Sequence, residues 1–94
     1  MFEWDEEKNQ RNLEKHGIGF ETAATIFRGT TFSRIDDRDH YDEVREISIG
    51  RIETDVVVVV VHTDRAGTIS LISARGANRR KGRDYDDYCS KITR

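Results

Sequence analysis

The pattern of apolar and polar residues near the N-terminus predicts two helices. Asp5 is a suitable helix N-cap and Gly17 a suitable left-handed stop, so a helix is expected over residues 6–16. Beyond it, apolar residues recur at positions i, i+3, i+4 and i+7, which is the spacing of a helix face that packs on a core. These residues are Phe20, Ala23, Ala24 and Phe27, and Gly29 ends this second helix.

The first helix is unusual because Leu13 is its only plainly apolar residue. Its polar stripe consists of Lys8, Arg11, Asn12 and Lys15. One interpretation is a solvated helix whose final Lys15-His16 pair complements the negative end of the helix dipole. The other interpretation is that these polar residues serve a function other than packing.

Short apolar or alternating runs predict five β-strands. They are expected at about residues 2–4, 30–35, 44–52, 56–61 and 68–74, with turns at 36–42 and 64–67 and a tight connection at 53–55. The fourth strand, Val56–Val61, is a run of six valines, which are β-branched residues that favour strands. A strand that is apolar on both sides is normally buried on both faces of its sheet.

A last helix is expected after Asn78, which is a suitable N-cap. Its apolar stripe consists of Tyr85, Tyr88, Cys89 and Ile92, and its basic stripe of Arg79, Arg80 and Arg83. The predicted element order, β-α-α-β-β-β-β-α, is typical of an α+β fold. We therefore expect a small antiparallel β-sheet with helices packed mainly on one face and a site on the exposed side of the sheet.

The length and composition of the chain limit its class. With 94 residues, we expect a single domain over 1–94. We expect a cytoplasmic protein that has no contact with a membrane, because the longest apolar run is too short to span a bilayer and charges occupy the N-terminus where a signal peptide would be apolar. The single cysteine, Cys89, cannot form an internal disulfide, and His16, His40 and His62 are too scattered to predict a metal site. No cofactor is expected.

Charge is distributed unevenly along the chain. Residues 1–64 contain 8 Lys and Arg against 15 Asp and Glu, a net charge of −7, whereas residues 65–94 contain 8 against 3, a net charge of +5. Such asymmetry indicates a basic surface for an anionic partner. The alternative is that the basic last helix packs on the acidic segment of its own chain.

Two arginines on predicted strands are candidates for phosphate chemistry. Arg75 ends the last strand, and Arg45 lies on the third. A rigidly held guanidinium is well suited to stabilising charge on a reacting phosphate, although a salt bridge to an acid such as Glu43 or Glu46 is the structural alternative for each. Together with Lys15 and His16, these arginines would suffice for RNA cleavage without a metal. Histidine transfers protons near neutral pH, and the cations would stabilise the charged transition state.

A combination of motifs resembles the BrnT family of type II toxins. The motifs are Phe2-Glu3-Trp4-Asp5, Lys8, Asn12, Lys15-His16-Gly17, Phe20-Glu21, Ala23, Phe27, Glu43-Val44-Arg45, Gly50, Ile72-Ser73-Ala74-Arg75, Ala77 and Tyr85. The resemblance covers nearly the whole chain. The sequence departs from the family at Lys81-Gly82, where a glutamate-arginine pair is usual, and at Ser70, where an arginine is common.

The resemblance implies a bacterial ribonuclease toxin with a RelE-like fold that a BrnA antitoxin neutralises. The antitoxin would supply the DNA-binding part, so the toxin would contact DNA only indirectly. By resemblance, the catalytic positions are Lys15, His16, Arg45 and Arg75. The residues expected to bind RNA are Lys8, Arg79, Arg80 and Arg83.

Assembly and two other functional classes follow from the same features. The doubly apolar valine strand predicts a homodimer or a toxin-antitoxin hetero-oligomer, because another chain would complete the burial of the sheet. One alternative is a non-catalytic binding module whose basic face docks an antitoxin or RNA. The other is a structural domain that oligomerises through the valine strand.

Overall fold

The structure is a computed structural model that describes residues 1–36, 43–53 and 56–92. Most of the predicted turn at 36–42, including His40, and residues 54–55 of the predicted connection lie outside the described residues. The strands are β1 (Phe2–Glu3), β2 (Phe32–Asp36), β3 (Arg45–Glu53), β4 (Val56–Arg65) and β5 (Thr68–Gly76). The helices are α1 (Glu6–His16), α2 (Phe20–Ala23), which continues into a 3-10 helix (Ala24–Arg28), and α3 (Arg79–Ile92). The predicted element order is confirmed.

The ends of α1 form where the sequence marks them. The Asp5 carboxylate accepts hydrogen bonds from the backbone N–H groups of Glu7 and Lys8, at 2.8 and 3.3 Å. Gly17 ends the helix with φ at 73°, a left-handed conformation that costs glycine little. Lys15 and His16 are therefore held in the last helical turn, directly before a fixed change of chain direction.

The five strands described form one sheet in the order β1-β5-β4-β3-β2. All neighbouring pairs are antiparallel except β1 and β5, which are parallel. The register places Phe32, Ile49, Val59 and Arg75 in one row across the sheet. A bulge between Val61 and His62 shifts the pairing of β4 with β5.

The valine strand divides the core into two halves, one on each face of the sheet. We call the face that bears Val58 and Val60 the first face and the face that bears Val59 and Val61 the second face. On the first face, Val58 and Val60 pack with residues of α2 and the 3-10 helix, such as Phe20 and Ile26. On the second face, Val59 packs with Ile47, Ile49 and Tyr85.

Helices therefore cover both faces. The α+β class is confirmed, but the expectation that the helices pack mainly on one face is not, because Tyr85 of α3 belongs to the second-face core. Its hydroxyl donates a hydrogen bond to the carbonyl of Thr30 at 2.8 Å, and burial raises the pKa of Tyr85 to about 12. The prediction that the valine strand is buried on both faces is confirmed for Val58, Val59 and Val60.

Asparagine side chains attach the polar helix α1 to the sheet. The Asn12 amide donates to the carbonyls of Ala74 and Ile18, both at 2.8 Å, and accepts from the Ala74 N–H at 3.1 Å. The Asn12 side chain thus provides hydrogen-bond partners for the backbone at the edge of β5, beyond the two residues of β5 that pair with β1. Asn9 accepts a hydrogen bond from the Phe20 N–H at 2.8 Å, at the start of α2. Hydrogen bonding, more than apolar burial, fixes the position of α1.

The first face is closely packed at β3. A Cβ atom added to Gly50 would lie 2.6 Å from the Cβ of Ile26, so only glycine allows the 3-10 helix to approach this strand so closely. This contact helps to keep α2 and the 3-10 helix against the first face.

Candidate functional site

Three of the four predicted catalytic residues line one cavity of about 240 Å³. Lys15 and His16 reach it from the end of α1, and Arg75 reaches it from β5. Val59, Val61, Ser73 and Ala74 complete its lining. The arrangement has a local cause, because Asn12 fixes α1 to the backbone of β5 one residue before Arg75. We call this the Arg75 cavity.

The cations of the Arg75 cavity lack neutralising partners among the described residues. Lys15, His16 and Arg75 are exposed, and no hydrogen bond or ion pair joins their side chains to another residue of the described ranges. Other arginines are paired: Arg51 lies 2.7 Å from Asp86, and Arg65 lies 2.7 Å from Glu43. The structural alternative of a salt bridge is thus not seen for Arg75 within the described ranges, and its charge can act on a bound anion.

Arg65 and Glu43 form an ion pair of a kind that is not seen for Arg75 within the described ranges. The Arg65 guanidinium donates two hydrogen bonds to Glu43, at 2.7 and 3.1 Å, and these hold the pKa of Glu43 below its usual range. The same pair raises the pKa of Arg65. Both residues are exposed, so the pair mainly fixes side-chain positions at the rim of the sheet.

Arg45, the fourth predicted catalytic residue, lines a different cavity, which we call the Arg45 cavity. It shares that cavity with Lys8, Thr63 and Ser70, among others. The register places Arg45 about 13 Å along the strands and about 10 Å across them from Arg75. Asp36 is its cross-strand partner, so an acidic residue lies beside it. The structure therefore does not bring all four residues together, although the alternation of β3 puts Arg45 on the second face as well.

The four residues predicted to bind RNA are distributed over the surface. Lys8 lines the Arg45 cavity, and Arg80 lines a third cavity, between α3 and the strands β2 and β3. Arg79 and Arg83 are exposed on α3 and line neither cavity. The three cavities that contain Arg75, Arg45 and Arg80 all include strand residues of the second face.

Two polar residues of the second face were not predicted as site residues. Ser73 lies in the Arg75 cavity, and Thr63 lies in the Arg45 cavity with only 1% of its surface exposed. The Thr63 hydroxyl has no hydrogen-bond partner in the described part of the chain. Ser73 could have been found from the period of two on a strand, since it precedes Arg75 by two residues. Thr63 depends on cross-strand register, which has no local sequence signal.

The described histidines differ in their surroundings. His62 is 3% exposed, lies on the first face, and bonds through Nε2 to the Ser48 hydroxyl at 2.6 Å. Burial lowers its pKa, although Glu46 and Asp64 partly oppose the shift. His16, by contrast, is exposed in the Arg75 cavity. Within residues 1–36, 43–53 and 56–92, no group of three or more His, Cys, Asp or Glu residues is arranged to hold a metal ion.

Together, the fold and this surface define a small α+β protein with an open cationic cavity beside a sheet edge. A family model described as "Ribonuclease toxin, BrnT, of type II toxin-antitoxin system" matches residues 4–81, and the chain belongs to this family. The resemblance inferred from the motifs is confirmed.

A solved structure has the same fold. It is the 1.1 Å crystal structure of the Brucella abortus ribonuclease toxin, BrnT, with a TM-score of 0.62 and 24% sequence identity. The match covers 84% of this chain and 99% of the Brucella chain. No curated protein sequence matches the chain significantly. Among the described helices, none has the length and apolar character needed to cross a membrane.

Proposed function

We propose that the protein is a cytoplasmic endoribonuclease that cleaves RNA without a metal ion and thereby inhibits translation and growth. The observation that carries this proposal is the Arg75 cavity, where an exposed histidine, a lysine and an arginine converge without neutralising partners in the described ranges. Family membership supports the ribonuclease class. Cations and a proton-transfer group are the components that phosphoryl transfer needs when no metal supplies charge.

In the proposed mechanism, the ribose 2′-hydroxyl of the substrate attacks the adjacent phosphorus. His16 is the proton-transfer group, since imidazole exchanges protons near neutral pH. Arg75 and Lys15 stabilise the negative charge that develops on the phosphate oxygens. His16 accepts the proton of the 2′-hydroxyl as the new oxygen–phosphorus bond forms, and it delivers a proton to the 5′-oxygen as the bond from that oxygen to phosphorus breaks. The Arg75 guanidinium is suited to this role because its planar fork can donate two parallel hydrogen bonds.

Arg45 has a different role in the proposal because it lies in another cavity. We assign it, with Lys8, to contacts with the RNA strand on one side of the scissile phosphate. Arg79, Arg80 and Arg83 would attract the strand from the direction of α3. Such phosphate contacts position an RNA and strengthen binding without requiring a particular sequence.

The test is cleavage of RNA by purified protein in the presence of EDTA. Cleavage should persist, because the proposed chemistry uses only side chains, and the products should carry 2′,3′-cyclic phosphate ends from attack by the 2′-hydroxyl. Mass spectrometry of the products identifies these ends. Loss of cleavage in chelator and its recovery with Mg²⁺ would contradict the mechanism. RNA binding without any cleavage would favour the non-catalytic binding module instead.

A type II toxin family implies an antitoxin partner. We propose that this partner is a BrnA-like antitoxin that covers the second face around Arg75 and supplies the DNA-binding part, so that neutralisation blocks access of RNA. Lys15 and Arg75, for which the described ranges contain no ion-pair partner, give an acidic antitoxin segment a complementary surface. The assembly would be a homodimer or a toxin-antitoxin hetero-oligomer, as sedimentation of the purified protein and of the complex would show.

A further inference from the structure

The third cavity, which contains Arg80, combines features that suit a nucleobase. Its volume is about 460 Å³, and it is lined by Phe32, Arg34, Ile47, Ile49, Asn78, Arg80, Lys81 and Asp84. Ile47 and Ile49 are buried, so the floor is apolar. Phe32 is half-buried, and its ring stacks on Tyr88 with centroids 4.8 Å apart, which holds the ring in place. A fixed aromatic ring beside an apolar floor is a suitable surface for a base.

Charged side chains surround this apolar floor. Arg34 and Arg80 are exposed, and no hydrogen bond or ion pair joins either side chain to another described residue. Both guanidinium groups can therefore bind the phosphates on either side of a nucleotide. The cavity thus provides for both parts of a nucleotide, an apolar surface for the base and cations for its phosphates.

Asp84 gives the cavity its selectivity. It is exposed, and its carboxylate has no hydrogen-bond or ion-pair partner in the described ranges. A carboxylate repels RNA phosphates but accepts hydrogen bonds, so in a cavity that binds a nucleotide Asp84 is suited to contact the base and not the phosphates. Guanine offers two adjacent N–H donors on its Watson–Crick edge, which match the two carboxylate oxygens, whereas adenine, cytosine and uracil each offer one donor group there.

The position of the cavity relates it to the proposed cleavage site. Ile47 in its floor is the cross-strand partner of Val61, which lines the Arg75 cavity. Phe32 lies in the same row as Arg75, three strand spacings or about 14 Å away. A single RNA strand on the second face can thus occupy both cavities.

We propose that the cavity of Phe32, Arg34, Arg80 and Asp84 binds a guanine nucleotide of a single-stranded RNA close to the cleaved bond. The proposal rests on the ribonuclease function proposed above and adds a base preference at one position of the substrate.

The test uses short 2′-O-methyl oligoribonucleotides that differ at one position, with G, inosine or A. Such probes cannot be cleaved by 2′-hydroxyl attack, so fluorescence anisotropy measures binding whether or not the protein is a ribonuclease. The G probe should bind ~10-fold or more tightly than the A probe, and inosine, which lacks the 2-amino donor, should lie between them. Asp84→Asn should bring the G-to-A affinity ratio close to one. The matched control, Asp87→Asn, changes an exposed aspartate one turn further along α3 and should leave the ratio unchanged.

The ratio is the decisive quantity, because removal of a negative charge strengthens binding of every RNA. Equal affinities in the unmodified protein, or a ratio that survives Asp84→Asn, would overturn the proposal. So would a change in antitoxin affinity without a change in the ratio, since the cavity would then be a protein-docking site. Cleavage of unmodified RNA is scored separately: a guanine preference without cleavage would overturn the ribonuclease function alone, and cleavage without the preference would overturn the base site alone.

Discussion

Single side chains on the second face owe their roles to what surrounds them. Arg51 and Arg75 are both arginines of interior strands, yet Arg51 pairs with Asp86 at 2.7 Å whereas Arg75 has no such partner in the described part of the chain. The first contributes to the attachment of α3 to the sheet. The second projects into a cavity beside His16, where a guanidinium can bind a phosphate.

The buried histidine predicts a pH dependence of stability. The pKa of His62 is lowered, so the unfolded chain binds more protons than the folded chain just below the ordinary histidine pKa. The free energy of unfolding should therefore decrease as the pH falls from about 7.5 to about 5.5, a range above the carboxylate pKa values. Urea denaturation at several pH values measures this dependence.

Two variants identify the group responsible for the pH dependence. His62→Gln keeps a polar partner for Ser48 but does not titrate, so its stability should depend less on pH. His16→Gln changes an exposed histidine and should retain the full dependence. A His62→Gln profile as steep as that of the unmodified protein would show that another group is responsible.

At the scale of elements, Asn12 links α1 to β5. Asn12→Ala removes three hydrogen bonds and leaves the N–H and C=O of Ala74, a fully buried residue, without this partner. The free energy of unfolding should fall by about 2–3 kcal/mol. Gln10→Ala is the matched control, because this exposed side-chain amide on the same helix bonds, among the described residues, to Glu6 alone and should change stability by less than about 0.5 kcal/mol. Equal losses in urea denaturation would mean that Asn12 does not fix the helix.

Elements were predictable from the sequence to the extent that their signals are local. The bounds of α1 follow from Asp5 and Gly17, and the valine run correctly indicated a strand buried on both faces. That run also implied that both faces need cover, and the cover of the second face was expected from another chain, whereas Tyr85 of α3 contributes to it within this chain. The apolar stripe of α3 predicts that the helix packs, but the face on which it packs depends on the path of the chain after β5, which has no local signal.

The candidate site was predictable in part for the same reason. Lys15 and His16 are adjacent in sequence and share the last turn of α1, so their proximity is local. Their approach to Arg75 depends on the docking of α1 by Asn12, whose polar side chain was grouped with the cationic stripe. Arg45 was placed with them because it shares the face with Arg75, but the register separates the two arginines by several residues.

At the scale of the whole molecule, the uneven charge of the sequence places exposed basic residues on α3. Arg79, Arg80 and Arg83 have no ion pair with an acidic residue of the described ranges. Residues 37–42, which are part of the acidic segment, lie outside those ranges, so the alternative that the basic helix packs on this segment stays a prediction. Asp86 of α3 forms an ion pair with Arg51 of β3. In the proposed function, the exposed arginines of α3 bind RNA, and in the neutralised state they contact an acidic antitoxin segment.

The account depends most on Arg75, and one measurement tests it directly: the rate of RNA cleavage by purified Arg75→Ala, compared with Arg75→Lys and Arg28→Ala. Arg75→Ala should lower the rate ~10²-fold or more, because a single electrostatic donor to the transition state has this effect. Arg75→Lys should recover part of the rate, since it restores the charge without the planar fork. Arg28→Ala removes an exposed arginine of the 3-10 helix, outside all three second-face cavities, and should cleave at the unmodified rate. If folded Arg75→Ala degrades RNA as fast as Arg28→Ala, the Arg75 cavity is not the catalytic site.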